Sequence, residues 1–268
     1  MPSKAVIQIA EDFHRRGVFK RFGVEGHERL SVDVSEAMGY VQDLRDVFVE
    51  RVISNSTDKM PEGMFVAGYA RFVEPNLLEM DNGQRIRAGK VIIATGSRPI
   101  VPAAWAPFRD RIITTDDFFE LEELPASIAV IGLGVIGLEI GQSLHRLGCT
   151  VVGIDIQEAV GGLTDPVAIK SAVEIIGGEM ELWLGHEAQI SEGSNGRLRV
   201  SAGGNTIEVE RVLASMGRQP NVEKLGLDAI GVPMDERGVP LFDPGTMQVG
   251  DLPLFLAGDV TGDRKSVV

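Results

Sequence analysis

Apolar side chains near the start of the chain recur at helical spacing. Val6, Ile9, Ala10 and Phe13 fall on one face and predict a helix over 2–17, with Lys4 in its first turn. Pro2 sits where a helix tolerates proline. A second stripe, Met38, Val41, Leu44, Phe48 and Val52, predicts a helix over 35–52, and Asp33 three residues before Glu36 resembles a capping box. Short β segments follow at 65–72, 77–80 and 85–87, with Asp81-Asn82-Gly83 as the turn between the last two. The run Val91 to Ala94 has no polar alternation, which predicts a strand buried on both faces of a parallel sheet.

The pattern then becomes strand, turn, helix, strand. Residues 128–131 read as a buried strand, 132–137 as a glycine-rich turn, 138–147 as a helix stopped by Gly148, and 150–154 as a second strand. Asp165-Pro166 opens a further helix to about Ile176, stopped by Gly177-Gly178. Strands are expected at 180–184, on either side of Gly203-Gly204, at 209–215 ending near Gly217, and at 254–257 in a loop-rich last stretch. Residues 90–99 align without gaps on 211–220, each a basic residue, a buried strand, a glycine and a proline, which suggests two related nucleotide-binding units.

Composition narrows the reading. With 44 % hydrophobic residues among 268, the chain can bury a real core, and no apolar run is long enough to span a bilayer. A net charge of −13 argues against nucleic acid or an anionic membrane as partner. The single cysteine, Cys149, allows no internal disulfide, and the first residues lack a signal-peptide layout, so a reducing, cytoplasmic setting is expected. Cys149 reads as a core residue. His14, His27, His145 and His186 read as surface or helix residues, and Asp116-Asp117 and the run Glu120 to Glu123 as solvated charges without metal-ligand spacing.

The chemistry sits in the turn after the buried strand. Gly132, Gly134 and Gly137 form a G-x-G-x-x-G fingerprint: the first allows the tight turn, the second leaves room for a pyrophosphate, the third lets helix and strand approach. The N–H groups of Val135 and Ile136 at the helix start would face the phosphates. Asp155, 18 residues after Gly137, is placed to accept from an adenosine ribose diol and to repel a 2′-phosphate. No Arg or Lys lies between Thr150 and Thr164, so NAD is favoured over NADP. Glu139 lies near the cofactor path, and on spacing alone it is equally well a solvated helix residue.

Several further motifs occur in a fixed order: Pro2-Ser3-Lys4, Ala94-Thr95-Gly96-Ser97, the fingerprint with Gly-Leu-Glu at 137–139, Gly217-Arg218-x-Pro220-Asn221, and Thr246 followed by Phe255-Leu256-Ala257-Gly258-Asp259. With these the chain resembles the flavoprotein pyridine nucleotide-disulfide oxidoreductases, most strongly their dihydrolipoamide dehydrogenase branch. The resemblance implies an α/β protein in which a Rossmann-like NAD-binding domain (104–222) is inserted in an incomplete FAD-binding domain (1–103 and 223–268). It gives Gly217 to the NAD site, and Ala94, Thr95, Gly96, Gly258 and Asp259 to the FAD site. It also implies that Lys4, paired with Glu139, lies beside the flavin, where a cation stabilises the reduced form. The activity implied is transfer of a hydride from FAD, reduced by a dithiol or lipoyl-domain substrate, to NAD+. Other members, the mercuric, glutathione and coenzyme A disulfide reductases, and a non-catalytic nucleotide-binding module remain alternatives.

The family's FAD fingerprint and Cys-x4-Cys pair precede the segment matching Pro2-Ser3-Lys4. Its dimerisation domain, with a catalytic histidine, follows the segment that here ends in Lys265-Ser266-Val267-Val268. The chain is therefore read as a central piece, expected to bind NAD(H), to bind FAD poorly and to oxidise no dihydrolipoamide.

Overall fold

The computed structural model describes residues 2–262. Met1 and the reading made above of 263–268 lie outside the described residues. In chain order the helices are α1 (Pro2–His14), α2 (Arg16–Phe19), α3 (Val34–Asn55), α4 (Val135–Arg146) and α5 (Pro166–Gly177). The strands are β1 (Ala70–Glu74), β2 (Leu77–Met80), β3 (Arg85–Arg87), β4 (Val91–Ile93), β5 (Ser97–Pro99), β6 (Ile112–Thr114), β7 (Ser127–Ile131), β8 (Thr150–Asp155), β9 (Glu181–Leu184), β10 (Gln189–Glu192), β11 (Leu198–Ala202), β12 (Asn205–Val209), β13 (Arg211–Ala214), β14 (Arg218–Pro220) and β15 (Leu254–Leu256). Contacts divide the chain into two compact units, Met1–Asn55 with Pro99–Gly217, and Ser56–Arg98 with Arg218–Val268.

The first unit is built on a parallel sheet of order β6-β13-β7-β8-β9. Every residue of β7 is buried, because the sheet is covered on both faces. Period-two alternation sorts its side chains. Ile128 and Val130 point into a core with Leu213, Ile140, Leu144, Val6, Met38 and Phe118, which docks α1, α3 and α4. Ala129 and Ile131 point the other way, with Val152, Ile154, Val212 and Trp183, against Val200 and Val209 of the antiparallel sheet β10-β11-β12. In this packing α1 and α3 go with the central sheet.

Local signals act where the sequence places them. Asp33 Oδ1 accepts the N–H of Glu36 at 3.1 Å, one half of a capping box at the start of α3. Asp165 Oδ1 accepts from Ala168 N–H at 2.8 Å, with Pro166 next to the cap. Gly203 and Gly204, with φ of 59° and 85°, form the tight turn joining β11 to β12.

The second unit holds the antiparallel sheet β1-β2-β3, the parallel pair β15-β4 and the pair β14-β5. Its core gathers Phe72, Ile93, Val222, Leu227, Leu254, Leu256 and Val260. Three expectations need correction here and in the first unit. Among the described residues β4 pairs only with β15, and Ile92, expected to be buried, is 66 % exposed. The strand expected from Phe65 begins at Ala70, after Gly68 (φ 143°), and Tyr69 is exposed. The single strand expected over 209–215 is two, broken at Glu210, whose N–H turns to Ser127. Residues 103–111 form a 3-10 helix leading into the buried β6, neither of which the hydrophobic pattern announced.

Asp117 is also not a free solvated charge. Burial pushes its pKa up, but bonds from the Thr114 N–H (2.9 Å) and hydroxyl (2.8 Å), with Arg109 beside it, leave it lowered. Glu179 is held in a similar way. The Arg146 guanidinium donates to both its oxygens, at 2.9 and 3.0 Å, and lowers its pKa against the effect of burial. Glu179→Gln is expected to cost about 1 kcal/mol at neutral pH. Since the folded pKa lies below the unfolded one, this contribution is full above the unfolded carboxyl pKa and is lost as pH falls through the folded value. Paired thermal melts of wild type and variant across that range check it, and a gap that acid leaves unchanged would refute it.

Candidate functional site

The fingerprint occupies the loop from β7 into α4. Gly132 has φ 95°, a left-handed conformation suited to glycine, and a methyl there would meet the Ser215 backbone at 2.6 Å. A methyl on Gly137 would lie 1.9 Å from the Gly132 carbonyl oxygen. These two glycines are therefore packing requirements. Gly134 differs: nothing lies within 4 Å of where its methyl would be, and it is exposed.

The loop's backbone groups are almost fully used. Gly132 N–H donates to Ile154 O (2.9 Å), and Gly132 O accepts from Ser215 Oγ (2.7 Å). Leu133 N–H donates to Asp155 Oδ2 (2.6 Å), and Leu133 O accepts from Gly161 N–H (2.7 Å). Gly134 O accepts from Leu138 N–H (3.0 Å), the first bond of α4. The N–H groups of Gly134, Val135, Ile136 and Gly137 are left over among the described residues, at a helix start with no side-chain cap. They form a cluster of donors at the positive end of a twelve-residue helix, open on the Gly134 side.

Three strand ends converge there. β7 lies between β13 and β8, and all three run the same way, so Gly132, Asp155 and Ser215 to Gly217 stand together at the carboxyl edge. This is where strand order turns back, the place in such sheets where a ligand crevice forms. Asp155 also accepts Gln157 N–H at 2.9 Å through Oδ1. Each oxygen thus takes one backbone donor and keeps acceptor capacity for a diol. Gly217 is exposed, with φ 121°. Ser215 and Gly161 went unnoticed in the sequence, because their contacts join segments far apart in the chain.

In the second unit, β4 and β15 end together, and Ala257 N–H donates to Ile93 O at 3.0 Å. Ala94-Thr95-Gly96 and Gly258-Asp259 therefore follow neighbouring parallel strands. Ala94, Thr95, Gly258 and Asp259 are exposed, and Gly96 and Gly258 have φ of 67° and 73°. Asn221 fixes the first turn, its side chain donating to Thr95 O (3.0 Å) and its N–H to Gly96 O (3.0 Å). Arg98 braces Asn221 (3.0 Å) and pairs with Glu223, whose pKa falls to about 2 chiefly through that bond. Exposed glycine turns and a carboxylate without a side-chain partner among the described residues, at adjoining strand ends, suit a hydroxyl-bearing ligand.

Lys4 is exposed in the first turn of α1, and Glu139 is half-buried on α4. The two helices pack together, yet no ion pair joins these side chains among the described residues. Cys149 is buried, its thiol donating to Pro125 O and its pKa pushed up to about 12 by burial. His14 ends α1, His145 lies on α4, His27 is in a short 3-10 helix and His186 packs on Gly203.

The profile of the pyridine nucleotide-disulphide oxidoreductases matches residues 1–268. The chain belongs to this family. Its members are flavoprotein oxidoreductases that use FAD and NAD(P). This family member is 30 % identical over 270 residues to a dihydrolipoyl dehydrogenase of Thermus scotoductus, covering 94 % of this chain and 57 % of that protein. It is 30 % identical over 201 residues to a mercuric reductase of Staphylococcus aureus, covering 73 % and 36 %. The Cu(II) complex of the HOCl-induced flavoprotein disulfide reductase RclA from Escherichia coli superposes with a TM-score of 0.80 at 21 % identity, over 98 % of this chain and 56 % of that one, a likeness of fold. The chain spans about half the length of the curated relatives it matches. Among the described residues no helix is long and apolar enough to cross a membrane, and no group of His, Cys, Asp and Glu could hold a metal.

The packing separates the glycines. Gly137→Ala is expected to cost about 2 kcal/mol or more through the clash with Gly132 O. Gly134→Ala, at φ −62°, should stay within about 0.5 kcal/mol of wild type. Denaturant unfolding of the two variants tests the contrast, and equal losses would overturn it.

Proposed function

We propose that residues 104–222 bind NAD(H), and that residues 1–103 and 223–268 belong to the FAD-binding part of a disulfide reductase of the dihydrolipoyl dehydrogenase type. The observation that carries this reading is the set of leftover N–H groups at the start of α4, open beside Gly134 and flanked by Asp155. The chemistry the two cofactors supply when bound is two-electron transfer, from a dithiol through flavin to NAD+.

The chain's own residues bind and orient. The first-turn N–H groups of α4 take the pyrophosphate oxygens, and the absence of a side chain at Gly134 lets them approach. Asp155 accepts from the adenosine ribose diol and repels a 2′-phosphate. Gly217 leaves the edge beside β7 unobstructed. Thr95, Gly96, Gly258 and Asp259 hold the flavin nucleotide at the ends of β4 and β15, with Asp259 accepting from a ribitol hydroxyl. Lys4, exposed in the first turn of α1, is the residue proposed to supply a positive charge to the reduced flavin. Glu139, on the packed helix α4, is its proposed partner, although no ion pair joins the two among the described residues. The 268 residues hold one cysteine and so bring no dithiol pair of their own. The mercuric reductase relative, equal in identity to the first dehydrogenase, supports a second reading in which the same nicotinamide site serves another reductase of the family.

Calorimetric titration of the chain with NADH and NADPH tests the proposal. NADH should bind, NADPH at least about tenfold more weakly, and Gly134→Ala should weaken NADH by about tenfold or more without unfolding the chain. No heat with NADH, or equal affinity for both nucleotides, would sink it.

A further inference from the structure

We infer that Ser215 is a positioning residue for the nucleotide site and acts through a single peptide plane. This rests on the NAD(H) reading above. β13 runs beside β7, with Ala214 opposite Ile131. One residue on, Ser215 N–H donates to Ile131 O at 2.9 Å, and this carries its side chain past the strand ends to the fingerprint. There Ser215 Oγ lies 2.7 Å from Gly132 O and 3.0 Å from Ile131 O. A hydroxyl has one proton, and the shorter contact gives it to Gly132.

The Gly132 carbonyl and the Leu133 N–H belong to one planar unit and point in opposite directions. That N–H donates to Asp155 Oδ2 at 2.6 Å. One peptide is thus held at its oxygen from the end of β13 and at its hydrogen from the end of β8, on either side of β7. The next peptide is held at its oxygen alone, by Gly161 N–H at 2.7 Å, and its hydrogen is the open Gly134 N–H. Turning the first plane moves the donor that fixes Asp155 and also re-aims the Gly134 N–H.

Gly132 O has no other hydrogen bond among the described residues, and it faces the first turn of α4 at the point where a Gly137 methyl would sit. Without the Ser215 hydroxyl, this half-buried carbonyl loses its donor and the plane loses one of its two fixed ends. Ser215 touches no substrate in this account. It sets the direction of the groups that do.

The test is Ser215→Ala in the full chain, read by amide exchange and by NADH titration. Exchange of the Leu133 amide should speed up about tenfold, with the Val130 and Val152 amides unchanged, and the NADH dissociation constant should rise about three- to tenfold. Asp155→Ala acts on the same plane, so the double variant should bind NADH within about twofold of Asp155→Ala alone. Unchanged Leu133 exchange in Ser215→Ala overturns the inference whether or not NADH binds, and so do fully additive losses in the double variant. A wild-type chain that binds no NADH overturns the nucleotide reading itself, while Leu133 exchange still decides whether Ser215 holds the plane.

Discussion

Helix α4 crosses the end of β7 with no side chain between them, and the first unit's candidate site depends on that approach. The Gly132 carbonyl stands where a Gly137 side chain would be. Any larger residue at either position would lift the helix start away from the strand. The leftover N–H groups would then no longer share one edge with Asp155 and Ser215. A packing constraint between two glycines therefore becomes an electrostatic arrangement.

That arrangement also settles an apparent conflict of charge. The chain carries a net −13, yet the site proposed for a pyrophosphate uses no lysine or arginine. Oriented backbone dipoles act over one helical turn, whereas scattered surface carboxylates are screened within a Debye length of about 8–10 Å. In the proposed site, local geometry would outweigh overall charge. The carboxylate nearest the fingerprint, Asp155, is occupied in part by two backbone donors.

Patterns confined to a few neighbouring residues were legible in the sequence. Gly132, the caps at Asp33 and Asp165 and the Gly203-Gly204 turn each express a local backbone need, and each takes the conformation its residue type implies. The repeat between 90–99 and 211–220 corresponds to β4 and β13, each followed by a glycine with positive φ, and to β5 and β14, which pair with one another. What stayed hidden depends on contacts across the chain. Ser215 acts on a loop more than eighty residues away, and Gly161 bonds Leu133 through its backbone alone. Ile92 reads as core because its neighbours in sequence are apolar, but burial needs a covering layer, and none lies over Ile92 among the described residues. β6 offers only two consecutive apolar residues, Ile112 and Ile113, between polar neighbours, too few to mark a buried run.

Cys149 adds a property unrelated to nucleotides. It is the chain's one thiol, it lies between the end of α4 and the start of β8, and its burial keeps it protonated at neutral pH. A thiol reagent reaches it only when that junction opens, so its modification rate is a clock for breathing of the first unit's core. The protein carries its own single-site gauge of that motion, with no engineered label.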